Sequence, residues 1–388
     1  MGLPFYLEKL EDYIEMSLLK YMVAWIPCNA ELSQNRLFEL SSVRDKANER
    51  FIEAYKLLTS HGSRCQTIDK VDLSKVDVVV FYGIAWELKW LIKLVKINPS
   101  VILVNIPIEP PVIAPLHNKA ILSFMPFDRI ITWNDELALQ GPPFLKANIG
   151  EAIITEESVP LISFKQKEFL VAITSSKLIK HKNSIYQERF TAFNFFSRKS
   201  EGIDLYGVGW DKTSYSFVKT SYRGMCDTKK DVLKRYKFSI CFENAKNYPG
   251  LITEKIFDCF ASGTVPIYYG APNVSDYIPE NCFINFSQFS SYEELYRFLI
   301  NMSESEYQHY LDAVKEFIKT PEYYEFTSKR FAEVILEQVQ SLMKAPRPNR
   351  TLLGFKWALL KIVLHHPFIF IRYIKQCRRF LFDLFFYF

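Results

Sequence analysis

Glu254 and Lys255 stand side by side at the end of the segment Lys237–Lys255, KFSICFENAKNYPGLITEK. A lysine can pair with a diphosphate. A carboxylate beside it can accept two hydrogen bonds from a ribose diol. The residues before them read as a support for such a ligand. Phe238, Ile240 and Phe242 alternate through a strand that ends at Glu243-Asn244. Pro249-Gly250 closes a turn, and a helix is expected to begin near Ile252. At 100° per residue, Ile252, Ile256, Phe257, Cys259 and Phe260 share one broad face, and Glu254, Lys255 and Asp258 share the opposite one. The free N–H groups and dipole of such a helix attract anions. A solvated helix face is the plainer reading of the same charges, and spacing alone does not separate the two.

The elements that must position these residues alternate along the chain. Asp77–Tyr82, Val101–Ile106 and Asp128–Trp133 are short apolar runs of the kind buried in a parallel sheet. Helical periodicity runs from about Lys46 to Leu58 and over Ala85–Ile97. Glu151–Phe164 lacks periodicity and contains Pro160, so a linker is expected there. The alternation restarts with strands at Phe169–Thr174, Ile203–Tyr206, Lys237–Glu243, Thr264–Tyr268 and Cys282–Phe286. Helices are expected at Ser184–Ser197, Asp227–Arg235 and Ile252–Ala261. Ser291-x-x-Glu294 and Ser303-x-x-Glu306 are capping boxes that open two more. Two alternating blocks predict two Rossmann-like domains. Ligands in such sheets bind beyond the C-terminal ends of the strands.

Composition narrows the function classes. The 388 residues are 49% hydrophobic, ample for two cores. From Ser341 to Phe388 there are nine Lys or Arg against one acid, Asp383. That segment exceeds the whole net charge of +5, so the preceding body is net acidic. A nucleic-acid partner is therefore not expected, because its basic footprint belongs on the folded body. The seven cysteines form no C-x-x-C pair and read as reduced thiols of a cytoplasmic chain. No secretory signal is read at the N-terminus, and the sequons at Asn273, Asn301 and Asn349 are expected to stay unmodified. The six histidines show no metal-ligand spacing.

Tyr236–Phe289 resembles the donor-binding signature of glycosyltransferase family 10, the α-1,3/4-fucosyltransferases. YKFSICFEN, ITEKIFDCF and GTVPIYYGAP carry the likeness, followed by Pro279-x-x-Cys282-Phe283-Ile284 close to Phe289. A weaker likeness to the bacterial branch appears at Ile185–Arg189, Asp204–Gly207, Gly209–Asp211 and Val104–Glu136. The resemblance implies an α/β, GT-B-like fold, with the donor held mainly by the C-terminal Rossmann-like domain. The expected division is 1–155 for the acceptor side, 165–345 for the donor domain and 346–388 for a tail.

Roles follow from the resemblance. Glu254 would hold the donor ribose and Lys255 its phosphates. A base within Lys177–Arg189, either Arg189 or Lys182, would be a second phosphate contact. Glu243 and Asn244 match the family's Glu-Asn. Glu109, in a loop after a buried strand and stiffened by Pro110-Pro111, matches the catalytic carboxylate; Asp135 and Glu136 are weaker rivals. The family commonly has Tyr where Leu251 stands, and Tyr248 is the nearby substitute. The implied donor is GDP-β-L-fucose, with no tightly bound cofactor and no metal requirement. The implied reaction is inverting transfer to a cell-surface glycan such as a lipopolysaccharide O-chain. Another nucleotide-sugar donor, or a non-catalytic glycan-binding role, are the alternatives.

Leu352–Phe388 interleaves eleven aromatic residues with bases, and Pro367 divides it. It reads as interfacial amphipathic helices that hold the body at the inner face of the cytoplasmic membrane. Such a position suits a lipid-linked acceptor. Packing of this tail on the body is the alternative.

Overall fold

The computed structural model describes residues 21–27, 29–40, 48–83, 88–115, 117–149, 153–160, 162–354, 357 and 361. The chain divides into two compact units, residues 1–43, 48–147 and 331–388, and residues 44–47 and 148–330.

The first unit carries β1 (Met22–Ile26), β2 (Arg64–Thr67), β3 (Val78–Tyr82), β4 (Ile102–Ile106), β5 (Arg129–Thr132) and β6 (Phe144–Lys146) in the order β2-β1-β3-β4-β5-β6. Neighbouring strands run parallel. Both faces of the central strands are buried, which is why β1, β3 and β4 read as nearly unbroken apolar runs rather than alternating ones. Ala24, Val79, Phe81 and Leu103 pack on one side. Val23, Trp25, Val80 and Val104 pack on the other, under helix α1 (Glu49–Ser60). Helix α2 (Leu88–Ile97) places Leu91 and Leu94 against the first of these faces.

The second unit carries β7 (Glu168–Ile173), β8 (Asp204–Tyr206), β9 (Tyr222–Gly224), β10 (Tyr236–Phe242), β11 (Val265–Tyr269) and β12 (Ile284–Asn285), ordered β12-β11-β10-β7-β8-β9, again parallel throughout. Helices α3 (Tyr186–Phe196), α4 (Lys229–Leu233), α5 (Glu254–Phe260), α6 (Tyr292–Asn301) and α7 (Glu304–Phe317) accompany it. Phe238, Ile240 and Phe242 share one cluster, as the alternation predicts, and Ile252, Ile256, Phe257, Cys259 and Phe260 share another. Ser303 and Glu306 form the full capping box; Ser291 caps Glu294 N–H, but the Glu294 carboxylate turns to Ser290 instead.

Helix α8 (Ser328–Lys344) lies outside the division expected from sequence. Its Phe331, Ile335 and Val339, four residues apart, complete the core of the first sheet. An apolar stripe shows that a helix covers something, but not which sheet. The chain beyond α8 stays with this unit through two ion pairs. Asp77, just before β3, accepts Met22 N–H at 2.9 Å and pairs with Arg347 at 2.8 Å. Asp128, just before β5, accepts Leu103 N–H at 2.8 Å and pairs with the nearly buried Arg350, which also donates to the carbonyls of Val101 and Pro126. Two of the nine basic residues counted toward the tail are thus spent on structure. The tail itself lies outside the described residues, apart from 352–354, Trp357 and Lys361. Among the described residues, no helix is long and apolar enough to cross a membrane. Cys65, Cys226, Cys241, Cys259 and Cys282 are buried and not in disulfides.

Candidate active site

Beyond β10 the chain turns Glu243 inward until its side chain is fully buried. A carboxylate without water must be paired and hydrogen-bonded. Thr253 supplies its N–H at 2.9 Å, its hydroxyl lies 2.9 Å from both carboxylate oxygens, and Lys255 Nζ stands at 3.1 Å. Helix α5 therefore starts at Glu254, two residues later than the sequence suggests, with Thr253 as its N-cap. Glu243 already occupies the anion-attracting start of that helix. Lys255 Nζ further contacts Thr253 Oγ1 at 2.8 Å and Glu254 Oε1 at 3.2 Å. Burial alone would lower its pKa, but the Glu243 and Glu254 carboxylates outweigh that and hold it well above its ordinary value.

Arg189 enters from α3, buried to 4% exposure. Its guanidinium donates to Phe242 O at 2.6 Å, Asn244 Oδ1 at 3.0 Å and Thr174 Oγ1 at 3.2 Å, and lies 4.7 Å from the Tyr186 ring centroid. Tyr186 Oη also bonds Asn244 Oδ1 at 3.2 Å. Burial lowers the Arg189 pKa, partly opposed by Tyr186 and Glu243.

Arg189, Asn244, Glu254 and Lys255 meet in a cavity of about 250 Å³ beyond β7 and β10, which Glu243 supports from behind but does not line. Thr174, Lys177, Tyr186 and Arg189 line it, facing Lys229, Asn244, Glu254, Lys255 and Asp258. Four cations stand against two carboxylates, which suits a polyanionic ligand. Its volume falls below the roughly 300–1,000 Å³ of whole-ligand pockets, so it has room for part of a nucleotide sugar. Lys229, on α4, sits 2.8 Å from Asp258 and 3.9 Å from Glu254. Burial would raise the Glu254 carboxyl, but Lys255 and Lys229 outweigh it and hold the group well below its usual range. Its side chain is 40% exposed, so the pairing orients the carboxylate more than it stabilises the fold.

The remaining sequence-stated candidates separate. Of the two bases considered, Arg189 lines the cavity, whereas Lys182 is exposed on the loop before α3 and does not. Tyr248 is half-buried and outside the lining. Leu251 is fully buried, and its carbonyl accepts Tyr268 Oη at 3.1 Å. Leu251→Tyr therefore forces a ring into a filled core and is expected to cost about 1–3 kcal/mol, read as a lower urea midpoint. An unchanged midpoint would mean that the ring leaves the core. Sequence reasoning did not find Lys229, because its partners lie on a different helix and no spacing links them. Among the described residues, no group of three or more His, Cys, Asp or Glu could hold a metal ion.

Glu109 belongs to the first unit, three residues beyond β4, and is exposed. Its rival Asp135 is engaged by Lys146 at 2.6 Å, and Glu136 is exposed in the first turn after the N-cap Asn134. The loop that carries Glu109 runs on to the buried His117, which packs where a side chain on Gly83 would go, 3.2 Å from an ideal Cβ. Burial pushes the His117 pKa down to about 4. The unfolded chain binds that proton near pH 6.5, so unfolding takes up a proton between the two values. Stability is then full above about pH 6.5 and falls as pH drops toward 4, by up to about 3 kcal/mol. Urea midpoints across that range measure the slope, and His117→Phe is expected to flatten it.

Residues 164–350 match the family model described as "Glycosyltransferase family 10 (fucosyltransferase) C-term". An α-(1,3)-fucosyltransferase of Helicobacter pylori is 42% identical over 66 residues, 17% of this chain and 14% of that protein. An α-(1,4)-fucosyltransferase of Arabidopsis thaliana is 38% identical over 137 residues, 34% of this chain and 33% of that protein. The matched segments thus span a third or less of these curated relatives. A solved α1,3-fucosyltransferase with GDP-fucose aligns over 87% of this chain and 97% of its own, with a TM-score of 0.52 and 16% identity. That likeness shows the fold: two Rossmann-like parallel sheets of the GT-B class.

Proposed function

We propose, from the premise that this chain belongs to glycosyltransferase family 10 through its residues 164–350, that it transfers L-fucose from GDP-β-L-fucose to a hydroxyl of a glycan. The observation that carries this reading is the cation-lined cavity itself. Arg189 and Lys255 are anchored there by buried acceptors, beside an ionised Glu254. Glu254 takes the ribose diol of the donor. Lys255, Arg189 and Lys229 offset the charge of the departing diphosphate, and such preorganised charge acts without reorganisation during the reaction.

The chemistry is a single displacement. The acceptor oxygen forms a bond to the anomeric carbon as the bond to GDP breaks. The hydroxyl proton passes to Glu109, and the β-linked donor becomes an α-linked fucoside. No step calls on a metal, so chelator is expected to leave the rate unchanged. The acceptor class proposed is a cell-surface glycan such as a lipopolysaccharide O-chain, lipid-linked and met at the inner face of the cytoplasmic membrane. The six bases from Lys356 onward, interleaved with aromatic residues, support that location.

Leu251 favours one second reading, the same fold with another donor. Purified full-length protein, with a glycan extract as acceptor, is offered GDP-fucose beside other GDP-, UDP- and dTDP-sugars. Consumption of GDP-fucose alone supports the first reading. Preference for another sugar supports the second. Donor binding without turnover would replace both with a non-catalytic glycan-binding role.

A further inference from the structure

The Glu109 loop is held partly by its own backbone, where Pro110 O accepts Ile113 N–H at 2.9 Å and Ala114 N–H at 3.0 Å, and partly by side chains. Pro107, Pro110 and Pro111 remove three backbone donors from five consecutive residues, so few N–H groups of this stretch can tie it to its surroundings. Three carbonyls in succession accept from side chains. Asn118 Nδ2 donates to Pro107 O at 2.5 Å and to Glu109 O at 3.0 Å, and Trp133 Nε1 donates to Ile108 O at 2.6 Å.

Asn118 itself is over-determined. It is 3% exposed and sits at φ +49°, a left-handed conformation that Asn tolerates better than most residues. Its Oδ1 accepts the Thr132 hydroxyl at 2.5 Å, which fixes which end of the amide faces the loop. Its carbonyl accepts Asn134 Nδ2 at 3.5 Å, and Asn134 N–H in turn donates to Thr132 Oγ1 at 3.1 Å. Both amide hydrogens and the amide oxygen are therefore used, and two of the three bonds end on the backbone that flanks Glu109.

We propose that Asn118 is a positioning residue for the transfer reaction: clamped by Thr132, its amide sets the backbone, and so the reach, of Glu109. This rests on the reading of Glu109 as the base. A buried, fully satisfied amide on a proline-rich loop holds an exposed carboxylate at one position without touching either substrate. A displacement of about 1 Å at a reacting group can cost 10²-fold.

The test is a double-mutant cycle on the full chain. Asn118→Gly deletes the amide but keeps the backbone conformation, and it is expected to lower kcat about 10–100-fold with donor KM within twofold of wild type. In a Glu109→Gln background the same change is expected to cost no more than twofold, because the group it positions is gone. Thr132→Val removes only the hydroxyl that orients the amide and should give a smaller kcat loss of the same kind, which keeps the test open if the glycine variant does not fold. An equal loss in both backgrounds, or a donor KM that rises with an unchanged kcat, overturns the proposal and leaves the Glu109 reading intact. Full kcat for Glu109→Gln alone overturns both.

Discussion

Glu109→Gln is expected to cut transfer to the acceptor by about 10²–10⁴-fold, the usual weight of a general base, while donor affinity stays near wild type. The two halves of that expectation have separate physical grounds. An acceptor hydroxyl becomes a competent nucleophile only as it loses its proton, and an amide cannot take it. The donor contacts proposed above all come from the second unit, on residues 174–258, so a change of one oxygen to nitrogen on an exposed side chain of the first unit leaves them untouched. Rate and binding must therefore be measured separately: single-turnover transfer for the first, titration with GDP for the second. Equal rates for variant and wild type would remove Glu109 from the chemistry, with Asp135 and Glu136 as the next carboxylates to test.

Glu243→Ala carries the second large effect, and it should appear in two measurements at once. The wild-type carboxylate is fully buried and meets three donors, Thr253 N–H, Thr253 Oγ1 and Lys255 Nζ. Gly270 approaches so closely that an added Cβ would lie 2.5 Å from Glu243 Cγ, so the site is built around this one side chain. Removing it leaves a half-buried N–H and a half-buried ammonium without their main acceptor. Breaking such a pair costs about 3–5 kcal/mol, visible as a lower urea midpoint. Lys255 would then lean on Glu254, and Glu254 is the group assigned to the donor ribose. Affinity for GDP should fall with stability, and Glu243→Gln should retain more of both, since its oxygen still accepts Thr253 N–H. Glu243 does not line the cavity, so its effect on donor binding acts through Lys255. In a Lys255→Ala background, Glu243→Ala should add little further loss of affinity. Wild-type stability and affinity in Glu243→Ala would sink this account of how the α5 start is held.

Much of the scaffold was legible because its signals are local. β3, β4, β5, β7, β10 and β11 are short apolar runs, and a strand buried on both faces needs nothing more to declare itself. β1, Met22–Ile26, is an equally apolar run that the sequence reading did not name as a strand. β2, with the sequence RCQT, and β9, with YRG, carry almost no apolar signal. They are edge strands, recruited by the neighbour they pair with.

The site divides the same way. Glu254 and Lys255 could be named from sequence because a strand, a glycine turn and a charged first helical turn lie in one continuous segment. Which of Arg189 and Lys182 lines the cavity depended on how α3 packs against β10, over fifty residues apart in the chain. The partnership of Lys229 with Glu254 and Asp258, the burial of Leu251 and the allegiance of α8 to the first sheet were decided likewise. Sequence by itself determined the fold class and the chemical types at the site, since strand burial and helix periodicity are written in neighbouring residues. Only the tertiary structure decided which charges are buried and which partners hold them, because a charge survives burial through groups that distant segments bring to it.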